Sequence, residues 1–289
     1  MFKQISLSLA AIALLASCSV KEDRINCSAP VTVSVSGFNV SQEPFSKAVQ
    51  SVEDATAIKA ITLAFYSGST EAYKSTQTRE SLEEGETFGE FTTSLPLGNY
   101  TMIVLAIGGD NIPTLSGPTQ ASYGENVVGD TFATSQAVNI NSSDTVNLDA
   151  TLDRIVSCIA VNSTDGRSEE AKKLRITTST GSRSFDPTTG LATVNTGITA
   201  NITQPEAVGT VTRSAALLFL ASDEQTADVT IETLDDEDQV IFRKTVTDVP
   251  LKRNRFTILT GALYDINATA SSSSFLLNTD WLNPSTVNF

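Results

Sequence analysis

Tyr100-Thr-Met-Ile-Val-Leu-Ala-Ile107 is apolar on both faces of a two-residue period, the pattern of a strand with sheet on either side and cover above and below. A turn built on Pro96 and Gly98 leads into it, within Phe91-Thr-Thr-Ser-Leu-Pro-Leu-Gly-Asn-Tyr100. Outward from this stretch the same signal recurs. Val31, Val33 and Val35 alternate with Thr32, Ser34 and Ser36, and Ile58 to Tyr66 sets Ile61, Leu63 and Phe65 on one face. Val138 to Ile140 and Val146 to Leu148 read as a hairpin across Asn141-Ser-Ser-Asp144. Arg154 to Val161, Leu174 to Thr178, Leu217 to Ala221, Val229 to Ile231, Val240 to Phe242 and Phe256 to Leu263 continue the series. Short runs rich in Val, Ile and Thr, parted by Gly, Asp and Asn, predict an all-β chain of sandwiches. Glu169 to Lys173 is long enough for one helical turn at most. The least apolar junction, Asn147 to Asp153, divides the body into residues 30–152 and 153–289.

The chain opens as an exported protein does. Lys3 precedes the uncharged run Ile5 to Ala16, and Leu15-Ala16-Ser17-Cys18 follows the pattern of a lipoprotein signal cut before Cys18. Residues 1–17 are then the signal and Cys18 the acylated residue, with 18–29 a polar tether. Once Cys18 is lipidated, Cys27 and Cys158 are left as either one disulfide or two separate thiols. The formal charge of −14 argues against nucleic-acid binding, which needs clustered Lys and Arg. Histidine is absent, which removes the usual general base and the commonest metal ligand. With no serine-hydrolase motif either, the composition points away from an enzyme and implies no cofactor or metal.

Five segments together resemble the fimbrillin superfamily, the lipoprotein pilins of type V fimbriae in the Bacteroidetes. They are Cys18-Ser-Val-Lys-Glu-Asp-Arg24 with Cys27, Ile58 to Gly68, Leu95 to Ala106, Leu152-Asp-Arg-Ile-Val156, and Leu251 to Gly261 followed by a strand at 275–281. The resemblance implies two tandem transthyretin-like Greek-key sandwiches and a structural role on the cell surface, tied to the outer membrane through Cys18. It implies partners of the same kind, joined by β-strand addition. In stalk subunits of that family a protease frees the first strand, here Val31 to Val40. The loop Gln42 to Ala55 would hold the cut at Lys47-Ala48, although the best-known stalk pilins carry Arg there. Anchor subunits keep both lipid and first strand, and the Lys-Glu-Asp-Arg…Cys pattern leans towards that role. Stalk and tip subunits remain the alternatives.

A reading of another class is a glycan-binding surface lipoprotein, which needs an exposed aromatic platform. Trp281 is the sole Trp, and Tyr66, Tyr73, Tyr100, Tyr123 and Tyr264 are scattered, mostly in or beside strands. Asp235-Asp-Glu-Asp238 lacks the glycine and alternating ligands of a calcium loop and reads as a hairpin tip. Asp144-Thr145-Val146 fits a short O-glycosylation pattern of exported proteins of that phylum.

Overall fold

The computed structural model describes residues 27–39, 49–52, 54–82, 84–264 and 276–278, and among these every regular element is a strand. The first ten are β1 (Ser28–Asn39), β2 (Val49–Gln50), β3 (Ala60–Ser67), β4 (Thr70–Thr78), β5 (Glu90–Pro96), β6 (Gly98–Gly108), β7 (Thr114–Gly117), β8 (Gln120–Ser122), β9 (Asp130–Ile140) and β10 (Val146–Arg154). Eight of them form one sheet in the order β2-β1-β10-β9-β6-β3-β4, with β5 sharing with β2 the edge of β1 that faces away from β10. β9 and β10 pair through two residue pairs, Ala133 with Asp153 and Phe132 with Arg154. The sheet folds at that corner into two layers, β5-β1-β10 against β9-β6-β3-β4, which enclose Val33, Phe38, Phe91 and Leu152 with Leu63, Phe65, Met102 and Ile140.

The expected hairpin over Val138 to Leu148 is therefore corrected. Val138 to Ile140 pair with Gly98 to Tyr100, whereas Val146 to Leu148 run parallel to Val31 to Val33 in the other layer. Both runs are apolar because both face one core, and that signal is the same whether neighbours pair or part. Where the chain changes layer from β5 to β6, the Tyr100 hydroxyl donates to the Pro96 carbonyl at 2.8 Å, a tyrosine corner. Tyr100→Phe is expected to cost about 1 kcal/mol in urea unfolding with an unchanged slope.

The second set is β11 (Ser157–Ser163), β12 (Lys173–Thr178), β13 (Ser184–Asp186), β14 (Leu191–Ala192), β15 (Thr199–Thr203), β16 (Arg213–Leu218), β17 (Glu224–Leu234), β18 (Val240–Lys252), β19 (Phe256–Gly261) and β20 (Leu276–Asn278). The sheets β16-β11-β19-β20 and β15-β12-β17-β18 close over Ile159, Val161, Leu174, Ile176, Val229, Ile231 and Leu259. At the layer change from β18 to β19 the Thr257 hydroxyl donates to the Pro250 carbonyl at 2.7 Å, as Tyr100 does in the first sandwich. Glu169 and Glu170 lie in a bend before β12, not in a helical turn.

β6 shows why its stretch is apolar on both faces. Met102, Val104 and Ala106 point into the first core. Ile103, Leu105 and Ile107 point the other way, into a second cluster that contains Tyr123, Phe185 and Phe219. That cluster lies under a four-stranded sheet, β14-β13-β8-β7, to which each sandwich contributes two short strands. Phe219 stacks on Phe185 at 4.1 Å between centroids and on Tyr123 at 6.2 Å. Beside it Arg154 pairs with Asp130 through Nε at 2.8 Å and Nη2 at 3.0 Å, and its guanidinium lies 4.7 Å from the Phe132 ring centroid. The junction is thus a packed interface.

Candidate functional site

The feature with most bearing on function is β1 in its slot. It pairs in parallel with β10 from Val31–Val146 to Asn39–Asp153, and antiparallel with β5 from Ser28–Pro96 to Ser34–Glu90. A strand flanked on both sides donates and accepts two ladders of hydrogen bonds, so its loss leaves two open edges. Ala29, Val31, Val33 and Phe38 are wholly buried in the core, and Val35 nearly so. Strict alternation would turn Phe38 outward. A bulge between Val35 and Gly37 shifts the register by one and turns it in, edge-on to Phe132 at 5.3 Å. The alternation of β1 does not mark Phe38 as an anchor, and the sequence signal for it is the glycine that breaks the period.

β1 is bounded in a telling way. Its last residues, Phe38 and Asn39, pair with Gln50 and Val49 of β2. Lys47 and Ala48 fall immediately before β2 and lie, like Cys18, outside the described residues. At the other end of the chain, β20 lies antiparallel to the free side of β19, with Leu276 opposite Thr260 and Asn278 opposite Ile258. The C-terminal strand is thus an edge of its own sandwich, held through three residue pairs. Trp281 is outside the described residues.

Cys27 and Cys158 are free thiols, one exposed and one buried. The bridge left open by the sequence does not form. β1 runs roughly 36 Å at 3.3 Å per residue from Cys27's end of the sheet towards the crossing into β11, whereas a disulfide needs Cα atoms about 5–6 Å apart. Burial pushes the Cys158 thiol well above its usual range. At about pH 8 iodoacetamide is expected to alkylate Cys27 in the folded protein and Cys158 only after unfolding, read by peptide mass spectrometry; equal labelling would contradict the burial.

The remaining candidates are placed as follows. Tyr66, Tyr100, Tyr123 and Tyr264 are buried, as is every described Phe, and Tyr73 is half-buried against the first core. The described residues therefore offer no aromatic platform for a sugar ring. Asp235 to Asp238 form the tip of the β17–β18 hairpin, where the Asp235 carboxylate accepts from the amides of Glu237 and Gln239. Asp238 pairs with Lys173 at 2.7 Å, which holds its carboxyl below the usual range. Among the described residues no three Cys, Asp or Glu side chains gather into a metal-holding group. Thr145 is exposed in the β9–β10 loop.

The chain is similar to several solved structures. A candidate adhesin from Bacteroides ovatus is 11% identical, with a TM-score of 0.51 over 89% of this chain and 96% of that one. A second from the same species is 12% identical, with a TM-score of 0.49 over 81% and 88%. The fimbrial anchor protein Mfa2 from Porphyromonas gingivalis is 11% identical, with a TM-score of 0.46 over 88% and 98%. No curated protein sequence matches. The molecule is an all-β protein that shares its fold with the first of these, the 0.51-scoring protein from Bacteroides ovatus. Residues 110–271 match the sequence model of a family of unknown function (DUF6562), and the chain belongs to that family. The matched span opens just before β7, so it takes in the junction strands and all of β11 to β19.

Proposed function

We propose that this protein is a structural subunit of a cell-surface fimbria, with no chemistry of its own, that ties the fibre to the outer membrane through lipid on Cys18. The observation that carries this reading is β1 seated between β5 and β10, directly after the tether. A sandwich that fills its slot with its own first strand offers no groove to an incoming strand, so a fibre ends on it. The slot also suits a strand-adding partner by its chemistry, since two ladders of main-chain hydrogen bonds give affinity and alternate pockets give register.

A stalk or tip role is the second reading, favoured by the position of Lys47-Ala48 between β1 and β2. A cut there would separate β1 from the rest of the chain and leave the slot to be filled by another subunit. The two readings part on the intact mass of the protein from its native cells. An acylated chain beginning at Cys18 and confined to membranes is expected for the anchor. An unlipidated chain beginning at Ala48 and enriched in sheared fibres would replace that reading with the stalk or tip.

A further inference from the structure

The chain enters and leaves each sandwich on a pair of parallel neighbours. β1 and β10 run in the same direction through eight residue pairs, from Val31–Val146 to Asn39–Asp153. The N-terminal segment joins β1 at Ser28, whereas the chain leaves β10 at Arg154, the opposite end of the pair. Across Ile155 and Val156 it enters β11 at Ser157. β11 runs parallel to β19 through six pairs, from Cys158–Phe256 to Ser163–Gly261, and the chain leaves β19 beyond Gly261. Among the described strands every other ladder is antiparallel. The two parallel pairs are thus the two through which the chain passes in and out.

Direction decides how such a pair fails under tension. Parallel neighbours pulled at the start of one strand and the end of the other are loaded along their length. All the bonds between them then share the force and must break together. In an antiparallel pair the start of one strand lies beside the end of the other, so the same pull would peel it bond by bond. Resistance to force follows the height of the unfolding barrier rather than the equilibrium stability, so one ladder can be strong in one direction and weak in another.

Both ends of this path are tied down. The Leu97 amide donates to the Cys27 carbonyl at 3.1 Å just ahead of β1, and β5 flanks β1 from Ser28 to Ser34. Further along, the Ser36 hydroxyl donates to the Ala150 carbonyl at 3.2 Å and the Asn39 side-chain amide to the Asp153 carboxylate at 2.7 Å, both tying β1 to β10. In the second sandwich the Cys158 amide donates to the Arg255 carbonyl at 3.0 Å and the Thr164 amide to the Gly261 carbonyl at 2.9 Å, which extends the β11–β19 ladder. Where the chain leaves β19, the amides of Leu263 and Tyr264 donate to the two Asp165 carboxylate oxygens, both at 2.8 Å. Asp165 lies just beyond the end of β11, so the extension of the entering strand holds the exit. Tyr264 is itself buried, and its hydroxyl donates to the Gln204 side-chain oxygen at 2.9 Å.

We infer that the protein is built to carry tension along its chain, with β1–β10 and β11–β19 as two shear clamps in line between the segment ahead of β1 and the segment beyond Tyr264. The source of the load, a fibre tied to a membrane, rests on the fimbrial reading above, whereas the clamps do not. Single-molecule pulling of the chain from residue 18 onward, carrying Cys18→Ser, tests them. One handle is attached to the exposed Cys27 thiol, Cys158 being buried. The other is attached to Asp153→Cys, at the far end of β10, or to Thr145→Cys, just ahead of its near end, both exposed positions. Each variant is expected to unfold at the parent's urea concentration, because substitutions at exposed positions change stability little. The force that frees β1 is expected to be at least roughly threefold higher from the Asp153→Cys handle, since the whole ladder shares the load instead of one bond at a time. Thr151→Cys, also exposed on β10, repeats the lengthwise pull with the Asn39–Asp153 bond intact. Equal forces in the two directions, or a higher force from the Thr145→Cys handle, would overturn the β1–β10 clamp and leave the fimbrial reading standing. Pulled from Cys27 to the C-terminus, the chain is expected to give two high-force events, one for each sandwich, and a single one would overturn the β11–β19 clamp. Deletion of the gene without loss of fibres would overturn the fimbrial reading and leave the measured clamps in place.

Discussion

A chain that starts at Val49, and so lacks β1, is expected not to fold alone and to regain its structure when a peptide of residues 28–39 is added. The magnitude follows from what β1 buries. Val31, Val33, Val35 and Phe38 each contribute about 1.5–3 kcal/mol, together roughly 6–12 kcal/mol. That is comparable to the whole stability of a domain, about 5–15 kcal/mol. Two unpaired ladders, on β5 and β10, add to the loss. Circular dichroism and urea unfolding would read the outcome, with peptide carrying Val33→Asp as the control that should not rescue. If the shortened chain instead unfolds at the same urea concentration as the full one, β1 is a dispensable edge and the proposed strand slot falls with it.

Phe219→Ala carries the second large effect, a loss of about 3–5 kcal/mol together with loss of coupling between the sandwiches. Phe219 is fully buried, stacks on Phe185 and Tyr123, and bridges Ser182 through two main-chain hydrogen bonds of 3.0 Å. Those ring partners come from both sandwiches, so the cavity opens where the sandwiches meet. Calorimetry is expected to show one transition for the parent chain and two for the variant. A single transition at the parent temperature would mean that the junction sheet, not the aromatic stack, holds the two halves together.

Much of the candidate site could be read from the chain. Val31, Val33 and Val35 alternate because one face of β1 meets the core, and a period of two survives without knowledge of partners. The end of that strand could not be read. The bulge at Ser36–Gly37 turns Phe38 inward against the alternation, and its stabilisation comes from Phe132, distant in sequence and on β9. The same limit explains the Val138–Leu148 hairpin. Two neighbouring apolar runs say that each is buried, and only the core between the layers says that they part.

By itself the sequence determined the strand class, the approximate places of the long strands and the lack of histidine, since all of these rest on local composition and period. It also marked Tyr100 to Ile107 as covered on both faces. What covers the second face was decided by the tertiary structure alone. The strands of the junction sheet span two to four residues, too short to carry a period, and they exist because β8 and β13 meet in space. The parallel pairing of β1 with β10 is of the same kind. In each of them the energy lies between residues far apart in the chain, where no local pattern can record it.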